Sequence, residues 1–136
     1  MPRRTAERET TMVQWYEVVV EMNVKDADWL IKKSVDVFKT ECPERYGEVN
    51  EQMSCDTVYG CVAFALAYNQ HDFTADHKKG TTIYHSFFHA KYSWSAVMRT
   101  WFESIAPCLK DGSSMLVYSH IGHCEYVVKN GKAVIK

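Results

Sequence analysis

The apolar segment "SCDTVYGCVAFALAYN" at residues 54–69 constrains the fold most, because its conformation decides how many strands the sheet contains. As a helix this segment would be apolar on every side and therefore fully buried. As a strand it would place large side chains on one face and small ones on the other. The large set is Val58, Val62, Phe64, Leu66 and Tyr68, and the small set is Cys61, Ala63, Ala65 and Ala67. Such alternation favours an extended strand, and we predict one here with both faces covered.

The N-terminal third predicts a strand followed by helices. Residues 12–22 are rich in β-branched and aromatic residues, which is typical of a strand. Asp26 is placed to cap a helix in which apolar residues recur at helical spacing up to Phe38. Residues 41–53 follow, with Pro43 suited to a first helical position, and predict a short helix.

The C-terminal half predicts alternating strands around one more helix. Residues 69–82 are read as a polar turn region, and residues 82–92 alternate in the manner of a strand. Ser93 is a candidate cap for a helix that Pro107 ends. A strand after the next turn leads into a hairpin whose two-residue turn is Asn-Gly, a strong local signal.

These elements give the order β-α-(short α)-β-β-α-β-β-β. That order predicts an α+β, ferredoxin-like (split βαβ) fold: an antiparallel sheet with two main helices on one face and an extra C-terminal β-hairpin. We expect residues 1–11 to form a flexible tail and residues 12–136 to form a single α+β domain. Because this architecture supports many unrelated functions, it selects none of them.

Composition narrows the classes of function. Apolar residues make up 46% of the chain, charged residues 24%, and the net charge is −1, as in globular proteins without a general attraction to nucleic acid or anionic membranes. No apolar run is long enough to cross a bilayer, and residues 1–11 lack the apolar core of a secretory signal. Five cysteines without a C-x-x-C pair indicate reduced thiols and a cytoplasmic location.

One candidate site is a cysteine–histidine pair. The segment "GHCEYVVKNGKAVI" locally resembles the histidine strand and hairpin of NlpC/P60- and CHAP-type papain-like amidases. The resemblance implies a cysteine hydrolase with His123 as the base and Cys55 as the nucleophile. Those families place the thiol at the N-terminus of a buried helix, where the helix end lowers its pKa. Here Asp56 and Thr57 replace the small residues that usually follow the nucleophile.

A second candidate is a metal site built from histidines. His85 and His89 share one face of a predicted strand, while His120 and His123 lie close together beside Cys124. Imidazole and thiolate ligands suit Zn²⁺, which takes four of them in a tetrahedron. Because the spacing matches no familiar ligand pattern, ordinary surface histidines remain the favoured interpretation, and we expect neither a metal nor a cofactor.

Aromatic residues on strands raise a third possibility, the stacking of RNA bases on the sheet. Predicted strand positions carry Trp15, Tyr16, Tyr84, Phe88, Tyr118 and Tyr126. Basic residues are scattered, however, and no stretch matches the aromatic–basic motif of such RNA binders. We therefore favour core positions for these rings and do not expect nucleic acid as a partner.

The remaining feature is acidic. Glu41, Glu44, Glu48 and Glu51 recur at three- and four-residue steps, and Asp56 follows. Such a run is either a solvated helix face or a docking surface for a protein partner with a basic surface. We expect a small non-catalytic inhibitor or adaptor that acts by protein–protein contact, in the style of phage- or mobile-element regulators of a host or defence factor. An open sheet edge adds the expectation of a homodimer.

Overall fold

The computed structural model describes residues 13–53, 55–66, 72–91 and 93–136, with backbone but not side chains for residues 49–53. Its helices are α1 (Ala27–Glu41), α2 (Pro43–Met53), α3 (Val58–Leu66) and α4 (Trp94–Ile105), the last continued by a 3₁₀ turn at Ala106–Cys108. Its strands are β1 (Val13–Met22), β2 (Thr74–Lys78), β3 (Thr81–Lys91), β4 (Ser114–Ser119), β5 (Gly122–Lys129) and β6 (Lys132–Ile135).

The six strands form one open antiparallel sheet in the order β2-β3-β1-β4-β5-β6. β1 pairs with β3 on one side and with β4 on the other, although the next strand along the chain is β2. α1, α2 and α3 lie between β1 and the β2–β3 hairpin, and α4 lies between β3 and β4. The chain is therefore an α+β protein with four helices among the described residues.

Burial alternates along the strands and defines two faces of the sheet. Val18 and Val20 of β1 are completely buried, as are Ser86 of β3 and Met115 of β4. These residues share one face, which packs against the helices and is called the covered face below. The intervening residues of each strand lie on the opposite side, the open face, which no helix of the described residues covers.

The helical layer is joined to itself and to the sheet by buried hydrogen bonds. α1 packs against α4, where the Trp101 indole N–H donates to the Ser34 hydroxyl at 2.9 Å. Both side chains are completely buried, so each polar group needs this partner. The ring centroids of Phe38 in α1 and Phe64 in α3 lie 4.2 Å apart, which extends the same core into α3.

The strand predicted over residues 54–69 is wrong for its described part, because Val58–Leu66 form α3; residues 54 and 67–69 lie outside the described residues. Thr57 caps this helix: its hydroxyl accepts the backbone N–H of Gly60 at 2.9 Å. At the other end, the Ser86 hydroxyl donates to the Leu66 carbonyl and the Trp94 indole N–H donates to the Ala65 carbonyl. These bonds satisfy carbonyls that a buried helix end would otherwise leave unpaired. A helix that is apolar on all sides fits here because α1, α4 and β3 pack around most of it, although Tyr59 is 51% exposed.

Two further expectations are corrected. The region predicted as a polar turn contains β2, a five-residue edge strand that pairs with β3 and supplies the strand that residues 54–69 were expected to form. Most of β2 is exposed, so its residues are polar on both faces, and the sequence lacks the alternation of apolar and polar residues that predicts a strand. Ser93 does precede α4, but its side chain makes no capping hydrogen bond.

Other local predictions are confirmed. Asp26 caps α1, since its carboxylate accepts the Trp29 backbone N–H at 3.0 Å. The terminal hairpin turns at Asn130 and Gly131, which have φ values of 52° and 75° as a type I′ turn requires. The short helix begins at Pro43 as expected. The predicted tail at residues 1–11 lies outside the described residues.

Candidate functional surfaces

The open face carries a cluster of exposed rings at the end of the sheet where β1 begins. We call it the aromatic patch, and it consists of Trp15, Phe87, His89, Tyr118, His120 and His123. Trp15 stacks on Phe87 with ring centroids 6.1 Å apart, and His120 lies 6.2 Å from Trp15. The Tyr118 and His123 rings are 5.7 Å apart. Phe87 and Tyr118 remain 37% and 40% exposed, so the patch presents apolar surface to solvent.

Next to the aromatic patch, Glu17 and His85 face each other across the β1–β3 pair. The Nε2 atom of His85 lies 2.7 Å from Oε2 of Glu17. Both side chains are a little over 40% exposed, so this contact is a surface pair, not a buried one. It fixes the imidazole against the sheet and gives the carboxylate a partner.

The four histidines considered as metal ligands all lie on or beside the open face, yet they do not form a ligand set. His85 binds Glu17, and His89 lies against Phe87 with 5.8 Å between ring centroids. His120 and His123 each lie beside an aromatic ring. Within the part of the chain that the structure describes, no three His, Cys, Asp or Glu side chains come together as a metal site requires.

Cys55 lies just before α3, in a buried pair with Cys61. The Cys61 thiol lies 3.5 Å from the Cys55 carbonyl, and the Cys55 Sγ is 4.0 Å from the Gly60 carbonyl. A hydrogen bond from Cys61 lowers the pKa of Cys55, while burial and the nearby Asp56 carboxylate oppose that change. The same hydrogen bond and burial raise the pKa of Cys61. Cys55 is only 4% exposed, so its sulfur has little contact with solvent.

The structure does not bring Cys55 and His123 together. Cys55 belongs to the core formed with α3, which packs on the covered face against β3. His123 lies on β5, three strands away from β3, and its ring faces Tyr118 on the open face. The sheet separates the two side chains, so the imidazole is out of reach of the thiol as a base. Cys55 precedes a buried helix, as the resemblance implies, but the lowering of its pKa comes from the Cys61 hydrogen bond, and the histidine is not beside it.

The acidic residues of the helical layer line a cleft of about 470 Å³. It runs between the α1–α2 junction and the start of α4, and we call it the acidic cleft. Its lining comprises Glu41, Cys42, Pro43, Glu44, Arg45, Glu48, Lys91, Ser93, Trp94 and Val97. Burial and the Glu41 carboxylate raise the pKa of Cys42 to about 11. The Arg45 guanidinium, which also lines the cleft, acts on the pKa of Cys42 in the opposite direction.

Of the five predicted partner-binding residues, three meet in the acidic cleft. Glu41, Glu44 and Glu48 are exposed on its rim. Asp56 is exposed beside the Cys55–Cys61 pair and does not line the cleft. The side chain of Glu51 lies outside the described residues.

Sequence reasoning missed the aromatic patch because it assigned the strand aromatics to the core. That interpretation holds for Tyr16, Tyr84 and Phe88, which are at most 3% exposed. It does not hold for Trp15 and Tyr118. The available signal was the strand period itself: Trp15 and Tyr16 are adjacent, so one of the two rings has to face away from the helices.

No model of a known protein family matches the chain, and no curated protein or solved structure is significantly similar to it. None of the described helices is long and apolar enough to span a membrane.

Proposed function

We propose that this chain is a binding protein of the inhibitor or adaptor type, which acts by protein–protein contact through the acidic cleft. The observation that carries the proposal is the convergence of three exposed carboxylates on one concave surface. Glu41 comes from α1, and Glu44 and Glu48 come from α2. Val97 of α4 is half-buried and adds apolar surface to the same cleft, beside Trp94, which is only 5% exposed. A concave surface rimmed by carboxylates suits a partner that presents Lys or Arg side chains.

The nature of the cleft supports contact rather than chemistry. Cys42, the cysteine in the lining of the cleft, has its pKa raised, chiefly by burial, which keeps the thiol protonated at neutral pH. Two cations, Arg45 and Lys91, also line the cleft and limit the repulsion among the carboxylates. A regulator of a host or defence factor remains our proposal for the biological role, with a cytoplasmic location in keeping with five free cysteines.

We also propose that the first four strands and their helices form a ferredoxin-like split βαβ unit. The strand order β2-β3-β1-β4 supports this, because each crossover passes over one strand that runs antiparallel to both strands it connects. β5 and β6 then extend the sheet as the terminal hairpin.

Charge reversal tests the binding surface. A fluorescent peptide with alternating Arg and Leu residues serves as the probe, and its binding is measured by anisotropy at physiological salt. The double variant Glu44→Lys/Glu48→Lys is expected to weaken binding at least about tenfold, because two attractive contacts become repulsive. The matched control is Asp36→Lys/Glu103→Lys, which makes the same charge change at exposed positions on α1 and α4. It is expected to change affinity by no more than about twofold.

Equal weakening by both double variants would contradict the proposal, because the peptide would then sense net charge and not the acidic cleft. His123→Ala serves as a second control, since His123 lies on the opposite side of the sheet. A loss of binding in His123→Ala as large as in the cleft variant would also contradict the assignment of the site.

A further inference from the structure

The open face differs from the solvated side of an ordinary antiparallel sheet. When one face packs on a core and the other meets water, the outward residues are usually polar. Here the outward residues include a diagonal apolar row that crosses five strands: Ile83 on β3, Val19 on β1, Leu116 on β4, Val127 on β5 and Val134 on β6. Val19 pairs directly with Leu116, and Val127 pairs directly with Val134. The other steps are diagonal, because His85 stands opposite Val19 and Glu125 stands opposite Leu116.

The aromatic patch continues this apolar row toward one end of the sheet. Phe87 is the register partner of Glu17, which in turn pairs with Tyr118. Together the row and the patch form contiguous apolar and aromatic surface on the side opposite the helices. Large exposed patches of this kind mark interaction surfaces in soluble proteins.

Three of the four carboxylates on the strands of the open face are paired, whereas Glu21, opposite Ile83, is exposed and has no ion pair within the described residues. Glu17 contacts His85 at 2.7 Å, Glu125 contacts Lys136 at 3.8 Å, and Asp76 contacts Lys78 at 3.5 Å. A carboxylate that keeps its own counter-ion is less costly to bury than an isolated one. The same carboxylates disfavour a polyphosphate chain, because Glu17 lies at the centre of the surface that the chain would cover.

The area of the open face is close to the area that each partner buries in a stable protein interface. A strand residue occupies about 16 Å² of sheet plane, given a rise of about 3.3 Å and a strand spacing of about 4.8 Å. The residues of the six strands together therefore give the open face an area of about 700 Å² in the plane of the sheet. A stable protein interface buries about 800 Å² on each partner, which the open face and its rim nearly supply.

We propose that the open face packs against the open face of a second copy of this chain, so that the protein is a face-to-face homodimer. This interface leaves the acidic cleft free, because the cleft lies in the helical layer. The dimer and the proposed binding function are consequently separate, and either can fail without the other.

A twofold axis parallel to the strands gives the simplest arrangement. The middle of the six-stranded sheet lies between β1 and β4, so this axis places β1 of one copy over β4 of the other. Val19 of one copy then meets Leu116 of the other. The β2 edge, which carries the Asp76–Lys78 ion pair, meets the β6 edge, which carries Lys132 and Lys136. Two such sheets pack about 10 Å apart with their strands roughly aligned.

Sedimentation equilibrium of the full chain over a range of concentrations tests the dimer. Wild type is expected to sediment with twice the chain mass at micromolar concentrations. Leu116→Glu is expected to raise the dissociation constant at least about 100-fold, because it places a new carboxylate at the centre of the interface. The matched control, Trp29→Glu, changes a 43%-exposed aromatic residue on α1 and is expected to leave the dimer intact.

Phe87→Arg provides a second disruptive variant in case Leu116→Glu does not fold, since Phe87 is already 37% exposed. Hydroxyl-radical labelling of wild type adds an independent readout: Trp15 and Tyr118 are expected to become protected as concentration rises. A wild-type monomer at 100 μM overturns the proposal. So does a dimer that survives both open-face variants, which would point to pairing at the sheet edges, and so does a monomer that binds single-stranded RNA through Trp15.

Discussion

Val19 and Val20 are neighbours of the same residue type in one strand, and they lie in opposite surroundings. Val20 is completely buried under the helices, whereas Val19 is half-buried on the open face. The same contrast separates Tyr16 from Trp15 and Phe88 from Phe87. An apolar residue in this sheet therefore does not reveal which face is packed. The position of the helices decides that, and it follows from the crossover connections.

The two tryptophans Trp101 and Trp15 give the largest expected contrast between the covered face and the open face. Trp101→Ala is expected to lower the free energy of unfolding by about 3–5 kcal/mol, because it empties a fully buried site and leaves the Ser34 hydroxyl without its donor. In the monomer, Trp15→Ala is expected to cost about 1–2 kcal/mol, the value of its ring contacts with Phe87 and His120. Urea denaturation measures both.

Repeating the urea titration at a tenfold lower chain concentration separates folding from association. If Trp15→Ala destabilises the diluted chain as much as Trp101→Ala does, the open face is packed within one copy and the comparison between faces fails.

A smaller and cleaner contrast comes from Val20→Thr and Val19→Thr, which keep shape and strand preference while adding a hydroxyl. In Val20→Thr the new hydroxyl is buried where the native valine needs no hydrogen bond, which is expected to lower the free energy of unfolding by about 1–3 kcal/mol. In monomeric Val19→Thr, at a concentration below the dissociation constant of the proposed dimer, solvent reaches the hydroxyl, so the free energy of unfolding is expected to change by no more than about 0.5 kcal/mol. Thermal unfolding followed by circular dichroism detects the difference. Equal losses of stability in the two variants would show that solvent is excluded from both faces of the sheet.

The smallest expected effect is at the open-face pair of Glu17 and His85. Glu17→Gln is expected to reduce stability by about 0.2–1 kcal/mol, as exposed ion pairs usually do when broken. A loss above about 2 kcal/mol in urea, measured below the dissociation constant of the proposed dimer, would mean that the pair is desolvated within a single copy, contrary to its exposure.

Much of the fold could be predicted from the sequence where a residue determines the backbone geometry of its own element. Asp26 before an apolar helical stripe and Asn130-Gly131 between alternating runs each specify their element through backbone geometry alone. Residues 58–66 were not readable in this way, because an all-apolar segment has no period that distinguishes a buried helix from a buried strand. The Thr57 cap and the helix preference of alanine were the local signals for α3.

The candidate surfaces were partly predictable. Helical spacing placed Glu41, Glu44 and Glu48 together, but the cleft also needs Trp94 and Val97 from a distant helix, and no local pattern brings those elements into contact. The resemblance around His123 was correct about the hairpin. It did not predict the distance to Cys55, because that depends on the strand order of the sheet.

The sheet ends on both sides in short strands, with five residues in β2 and four in β6. Each edge strand has few backbone N–H and C=O groups free to pair. The charged side chains of Asp76, Lys78, Lys132 and Lys136 disfavour the addition of another strand there. Growth by lateral addition of further chains is thereby discouraged. Any assembly this protein forms should close upon itself as a discrete particle instead of lengthening into a fibril.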